Sequence, residues 1–343
     1  MTRIARAFPQ YSKSKVDAAG AILIIEAALS EDALTIINNW RASHSFPLNT
    51  FHIGLRRRVA SHFSDAITSE RIKRLSSREH KLRRFKTRLS QVQDIGGCRA
   101  TVKDVGEVVR LVKMYELSSI RHQLDHKDDY ILSPQSSGYR GVHLVYRYFS
   151  DKKTTYNGLK VEVQIRSQSQ HAWATAVETV GTFIRQALKS SQGEADWLRF
   201  FALVGSAFAM REGTPLVPDT PTNSKELLAE IRDLATSLDV SQRLRAYGAT
   251  LKTLEDPTAK RRAHYYLMQL DPKQQQVSLR GFHQSALQEA SKAYLEAEKE
   301  VQTTPGAEAV LVSVNSLSTL RQAYPNYFLD TNRFLSELRN MMR

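Results

Sequence analysis

The chain has 343 residues and a formal net charge of +14, with 41% apolar and 24% charged residues. That length holds two domains with cores of their own, and the composition is that of an ordinary globular protein. One cysteine, Cys98, excludes an intrachain disulfide and a thiolate metal cluster. No stretch reaches the length of a membrane span and no apolar signal core opens the sequence, so a soluble, cytoplasmic protein is expected.

The excess charge is concentrated: residues 71–88 carry nine Lys/Arg and one acid, Glu79. A basic surface of this kind attracts phosphates, nucleotides, RNA or acidic partners.

Residues 1–15 are polar and basic and are expected to wrap the surface. Ser14 has the character of a helix N-cap, with Asp17 three residues on. Helix is predicted after it and again over 31–43, and from about Arg56 to His80. From Val92 the period changes to that of strands: 95–102, part of 119–129, 142–149 and 161–166, with a helix over 105–117 and a turn at Tyr156-Asn157-Gly158-Leu159. Helix follows from Ser169 to about Ser190, and over 197–211. Residues 213–223 hold three prolines and read as a linker before helix over 224–254, capped by Ser224. The tail reads ββαβα: strands 263–270 and 276–282, helix 283–301, strand 309–314 and a final helix within 326–342. His264 and His283 are too few for a zinc site, so the tail is expected to be metal-free. The fold class is thus α/β (α+β), a mixed sheet flanked by helices, divided into residues 1–192, a helical linker region 193–258 and a C-terminal module 259–343.

Within Val161-Glu162-Val163-Gln164-Ile165-Arg166 the alternation is strict, so Glu162, Gln164 and Arg166 share one face. They could line a cleft as metal ligand, base and phosphate contact, or simply meet water. Asp94 begins an apolar strand beside Gly96 and Gly97, a setting in which a carboxylate can bind Mg²⁺ while phosphates approach the backbone. Lys73, Ser77 and Lys81, spaced by four, would share one helical face. His171 opens a helix with Thr175 and Glu178 on its face.

Four segments occur in one order: Arg71 to Lys86, Gln93-Asp94-Ile95-Gly96-Gly97-Cys98-Arg99, Gly138-Tyr139-Arg140-Gly141-Val142-His143, and the 161–166 strand followed by His171-Ala172-Trp173-Ala174. Together they resemble the RelA/SpoT-type pyrophosphokinase family over roughly residues 22–184. The resemblance implies a nucleotidyltransferase-like mixed sheet and transfer of pyrophosphate from ATP, with Mg²⁺, to a ribose hydroxyl. It implies ATP binding by Arg71, Lys73, Ser77, Lys81 and Arg99. Asp94 and Glu162 would be the metal-binding catalytic acids, with Glu162 as base. Tyr139, Arg140, His143, Gln164 and Arg166 would bind the acceptor, Tyr139 by stacking on its base, with His171 in support.

Family members commonly have Pro-Lys before the Gly-Tyr, and a Ser where Gly141 stands; Pro134-Gln135 and Gly141 depart from that in the acceptor segment. No His-Asp dipeptide occurs, so the hydrolase domain of bifunctional members is missing. Tyr324-Pro325-Asn326-Tyr327-Phe328-Leu329-Asp330 resembles the closing segment of fused toxin–antitoxin members, the CapRel-like phage-defence proteins. That resemblance implies a pseudo-zinc-finger-like tail that plugs the ATP site through Tyr324 and Tyr327, the 3′ CCA end of tRNA as acceptor, and a phage protein as trigger. The alternative is a (p)ppGpp synthetase acting on GDP or GTP. No membrane or DNA partner is expected. Truncation before about residue 260 is expected to deregulate the enzyme.

Overall fold

A sheet runs through the computed structural model, which describes residues 7–25, 30–72, 87–184, 194–257, 263–271, 273–302, 307–314 and 316–342. Three helices precede it: α1 (Lys13–Ile25), α2 (Glu31–Ser43) and α3 (Ser45–His62). Then come β1 (Ile67–Ile72), β2 (Gly96–Val102), α4 (Val105–Glu116), β3 (Gln123–Asp129), β4 (Val142–Arg147), β5 (Lys160–Ser167) and α5 (Gln168–Ile184). A helical layer follows: α6 (Ala195–Glu212), α7 (Ser224–Ser237) and α8 (Val240–Thr250). The tail holds β6 (Lys252–Glu255), β7 (Tyr265–Asp271), β8 (Gln276–Phe282), α9 (Leu287–Gln302), β9 (Glu308–Ser313), α10 (Leu317–Ala323) and α11 (Asn332–Met342).

The helices start where polar caps satisfy orphan backbone N–H groups. Ser30 Oγ accepts from Ala33 N at the start of α2, Asp104 Oδ1 from Glu107 N at α4, and Asn223 Oδ1 from Lys225 and Glu226 N at α7. Ser12, not Ser14, stands before α1, and Asn223, not Ser224, caps α7. Two expected helices are corrected. Residues 67–72, expected to be helical, form β1: Ile67, Thr68 and Ile72 are β-branched and fit a pleated surface better than a helix. Helix over 224–254 breaks at Asp239, whose φ of +48° is left-handed, and gives way to β6 after Thr250.

The described strands form one sheet in the order β3-β4-β5-β2-β1-β9-β7-β8-β6. β2 and β5 run parallel, with Gly97 opposite Glu162 and Arg99 opposite Gln164; β1 lies antiparallel to β2, with Ser69 opposite Arg99 and Arg71 opposite Gly97. The tail was expected to be a separate zinc-finger-like module, but β9 joins β1 through Glu70–Ser313 and Arg71–Val312. Its strands therefore continue the sheet that carries the site.

Val161, Val163 and Ile165 point into a core with Leu48, Phe51 and Leu55 of α3 and Leu111 of α4. On the other side, Trp173 of α5, Phe201 and Phe208 of α6, Leu227 of α7 and Phe334 and Leu338 of α11 form a second core. The final helix thus packs with α5–α7 rather than with the tail strands. Among the described residues, no helix is long and apolar enough to cross a membrane.

Candidate active site

Period-two alternation on three neighbouring strands brings the polar residues to one face. β1 contributes Ser69 and Arg71, β2 Gly97 and Arg99, and β5 Glu162 and Gln164; Asp94 enters just before β2. With Tyr324 they line one cleft, whose cavity of about 40 Å³ has room for about three waters. Asp94 and Glu162 are both 8% exposed. Gly97 keeps the floor low: a β-carbon there would lie 3.8 Å from Glu162 Oε2.

Glu162 ends two hydrogen-bonded paths. Its Oε1 meets His143 Nδ1 at 2.9 Å, and its Oε2 accepts from Gln164 Nε2 at 2.5 Å. His143 Nε2 is 2.5 Å from the Tyr139 hydroxyl. One nitrogen of Arg166 donates to both the Tyr139 hydroxyl, at 2.7 Å, and Gln164 Oε1, at 3.0 Å. The five side chains therefore close a ring.

The tail fills the mouth of the cleft. Tyr324, 2% exposed, donates its hydroxyl to the Glu70 carbonyl at 3.1 Å, and its ring lies 5.3 Å from the Arg99 guanidinium. Arg99 also donates to the Ala323 carbonyl, and His171 Nε2 bonds the Gln322 carbonyl at 3.3 Å. Two backbone oxygens at the end of α10 thus meet cationic and polar groups suited to phosphate oxygens. Burial, then the neighbouring Arg166 charge, brings the Arg99 pKa down to about 10, so it stays charged at neutral pH. Burial, followed by the Arg99 and Arg166 charges, holds His171 well below the usual histidine range; it is neutral and donates from Nε2. Burial raises the Tyr324 and Tyr139 hydroxyls, so both remain protonated.

The expected residues divide by position. Asp94, Glu162, Arg71, Arg99 and Gln164 line the cleft with Tyr324; His143, Arg166 and His171 stand behind it. Lys73, Ser77 and Lys81 lie outside the described residues. Three placements differ from expectation. Tyr139 is 4% exposed, its ring 4.9 Å from the Arg166 guanidinium and edge-on to Trp173, so it presents no open face to a base. The cause is the turn before it: Gly138 has φ +91°, and a β-carbon there would meet the Phe201 carbonyl at 2.6 Å, so the loop is pressed onto α6. Arg140 turns away to Glu212 at 2.6 Å and to the Thr214 hydroxyl, as a buried ion pair instead of a charge at the rim. Tyr327 is fully buried in the tail core, one ring behind Tyr324, and does not line the cleft. Gly97, expected beside Asp94, lines the cleft; Ser69 and the Gln322 and Ala323 carbonyls were not anticipated, and Ser69 follows from alternation once 67–72 is read as a strand, whereas the carbonyls leave no mark in side-chain pattern.

Two carboxylates suit Mg²⁺, which binds one or two acids and takes its remaining ligands from water and substrate phosphates. Among the described residues, no group of three or more His, Cys, Asp and Glu is gathered that could hold a metal alone. The donor set therefore fits a metal arriving with a triphosphate.

Residues 70–181 match the family model described as a region found in RelA / SpoT proteins. The chain thus carries a RelA/SpoT domain, and this domain is an ATP-dependent pyrophosphokinase. No curated protein matches the chain. Among solved structures, a GTP pyrophosphokinase family protein from Streptococcus pneumoniae is similar at 21% identity and TM-score 0.40, over 57% of this chain and 92% of that one. The small alarmone synthetase 1 from Bacillus subtilis, bound to its product pppGpp, is similar at 21% identity and TM-score 0.43, over 52% of this chain and 92% of that one. The small alarmone synthetase 2 from the same organism aligns at 17% identity and TM-score 0.43, over 52% and 94%.

Proposed function

We propose that the chain transfers pyrophosphate from ATP to a ribose hydroxyl of the 3′ CCA end of tRNA, and that its tail holds this activity off until a partner releases it. The observation that carries the reading is Tyr324, seated between Arg99 and the Glu70 carbonyl in the cleft that also holds Asp94 and Glu162. A triphosphate and this tyrosine compete for the same cationic groups, so the conformation described is the restrained one. Once the ring leaves, Arg71 and Arg99 would hold phosphates, and Asp94 with Glu162 would hold Mg²⁺, which would supply positive charge against the transferred group. Glu162 takes the proton of the attacking hydroxyl.

A nucleic-acid acceptor is supported by the net charge of +14. An enzyme restrained this way, and with no His-Asp hydrolase signature in its sequence, suits a toxin used in anti-phage defence, with a phage protein as the releasing partner. The second reading is (p)ppGpp synthesis from GDP or GTP, which uses the same acids and cations. Incubation of the Tyr324→Ala chain with γ-labelled ATP and Mg²⁺, plus either deacylated tRNA or GDP and GTP, separates the two. Label in full-length tRNA, lost when the CCA end is trimmed, supports the first reading; label in a guanine nucleotide alone supports the second.

A further inference from the structure

Residues 138–143 rest on a helix that the family match does not reach. α6 lies beyond residues 70–181 and meets the segment at two points. The first is Gly205. A β-carbon there would lie 2.8 Å from the Gly138 carbonyl oxygen and 2.9 Å from Gly138 Cα, and one on Gly138 would lie 3.1 Å from Ala202 Cα. The two backbones touch, an approach that glycine at both positions permits. The second is Glu212, two turns further along the same helical face. One of its oxygens meets Arg140 Nη2 at 2.6 Å, and the other accepts from the Ser167 hydroxyl at 3.2 Å. Ser167 closes β5, the strand that carries Glu162. Arg140 also donates to the Thr214 hydroxyl, in the turn that follows α6.

We propose that α6 is the seat of the acceptor segment: Gly205 sets its height, and Glu212, acting through Arg140, is the positioning residue that locks it to β5. This rests on the reading of residues 138–143 as the acceptor segment, and on the transfer reading only for its kinetic consequence. Arg140 is 3% exposed, and its Nε and Nη1 meet no hydrogen-bond partner among the described residues. A guanidinium buried in this way depends on its carboxylate, so the segment cannot lift from α6 without parting the pair. Because the same carboxylate holds Ser167, one side chain fixes the segment relative to the catalytic strand. Arg140 and Glu212 stand apart from the cleft lined by Asp94, Arg99 and Glu162. Their effect therefore falls on placement of the acceptor and not on ATP.

The test has two arms. In the full chain, hydrogen exchange read by mass spectrometry needs no activity. Glu212→Gln keeps the shape of the side chain and removes its charge; it should raise exchange about tenfold over 136–143 while α4, in the other core, stays at the wild-type rate. Arg140→Met combined with Glu212→Leu should restore protection, since apolar packing can replace a buried pair. Gly205→Ala leaves no charge unpaired and should loosen the same segment, so it decides the matter where Glu212→Gln weakens the whole chain. Unchanged exchange over 136–143 in Gly205→Ala, or exchange rising alike in every peptide, overturns the proposal. In the Tyr324→Ala background, Glu212→Gln should raise the acceptor KM about fivefold or more, with ATP affinity within about twofold. A loosened segment with the acceptor KM unchanged overturns the positioning role. A Tyr324→Ala chain inert towards every acceptor counts against the transfer reading, and exchange then decides the seat alone.

Discussion

Replacing Tyr324 by alanine removes a fully packed ring from the seam between the tail and the catalytic face. Truncating a buried aromatic costs about 3–5 kcal/mol, a figure that already includes its lost contacts. Here those contacts are the hydrogen bond to the Glu70 carbonyl, worth about 1 kcal/mol, and the Arg99 face contact, worth about 1 kcal/mol in a partly desolvated setting. If the loss falls on the restrained state alone, about 4 kcal/mol shifts the closed-to-open ratio by roughly a thousandfold. Tyr324→Phe keeps the ring and loses only the hydroxyl, so about 1 kcal/mol, or roughly a fivefold shift, is expected. Fluorescent ATP titration and labelled pyrophosphate transfer read the open fraction, and circular dichroism checks the fold. The order of activity should be Ala, then Phe, then wild type. A folded Tyr324→Ala chain that binds ATP no better than wild type would refute the argument, because the ring would then not be what keeps the nucleotide out.

Glu162→Gln should lower transfer by a factor of about 10²–10⁴, as expected of the loss of a general base, with circular dichroism checking that the variant is folded. Arg41 of α2 is buried against Glu298 and Tyr294 of α9, with Glu298 at 2.5 and 2.9 Å and Tyr294 at 2.7 Å. Glu298→Ala removes the carboxylate that pairs with this buried cation and should cost up to about 3–5 kcal/mol in urea unfolding, whereas Arg41→Met combined with Glu298→Leu should recover most of it. The His171 pKa lies well below its unfolded value near 6.5, and burial lowers His264 in the same direction. Below about pH 6.5 the unfolded chain binds protons that the folded chain does not. Stability is therefore full above that pH and falls with acidification, by up to about 1.4 kcal/mol per pH unit for each group, and His171→Gln should flatten the slope of thermal midpoint between pH 7.5 and 5. Truncation before residue 260, expected from sequence to give a freed enzyme, removes α11 from the core of Trp173, Phe201 and Phe208. The truncated chain should bind a hydrophobic dye and aggregate, so single substitutions at Tyr324 are the cleaner way to free the site.

The strands that carry the site were legible because burial on one face imposes period two, and β2, β4 and β5 obey it: Val161, Val163 and Ile165 go in, and Glu162, Gln164 and Arg166 go out. β1 was hidden because its Ser-Glu-Arg centre runs straight into the basic tract, and charge density was read as a helix face. Tyr139 and Arg140 were misplaced for a different reason. Their direction is set by Gly138 lying against α6, a contact between segments more than sixty residues apart that no local pattern encodes. The sequence singled out Tyr324, which lines the cleft, but not the Gln322 and Ala323 carbonyls, since every residue has a carbonyl and only the fold aims one.

The strengths of the tail's attachments differ along its length. Far from the cleft it is tied by a buried ion pair between α2 and α9 and by the apolar packing of α11 against α6. At the cleft it is tied by two register pairs of β1 with β9, the bonds of Arg99 and His171 to backbone oxygens, and one tyrosine. Backbone oxygens on Arg99 and His171 can be exchanged one for one with phosphate oxygens, so withdrawing α10 leaves no buried cation unpaired once ATP arrives. Removing α9 or α11 would instead expose Arg41 or a packed aromatic core. Under the proposed function, a releasing partner would have least work to do by drawing α10 and Tyr324 outward while the rest of the tail stays bound, which would separate restraint from stability within one continuous sheet.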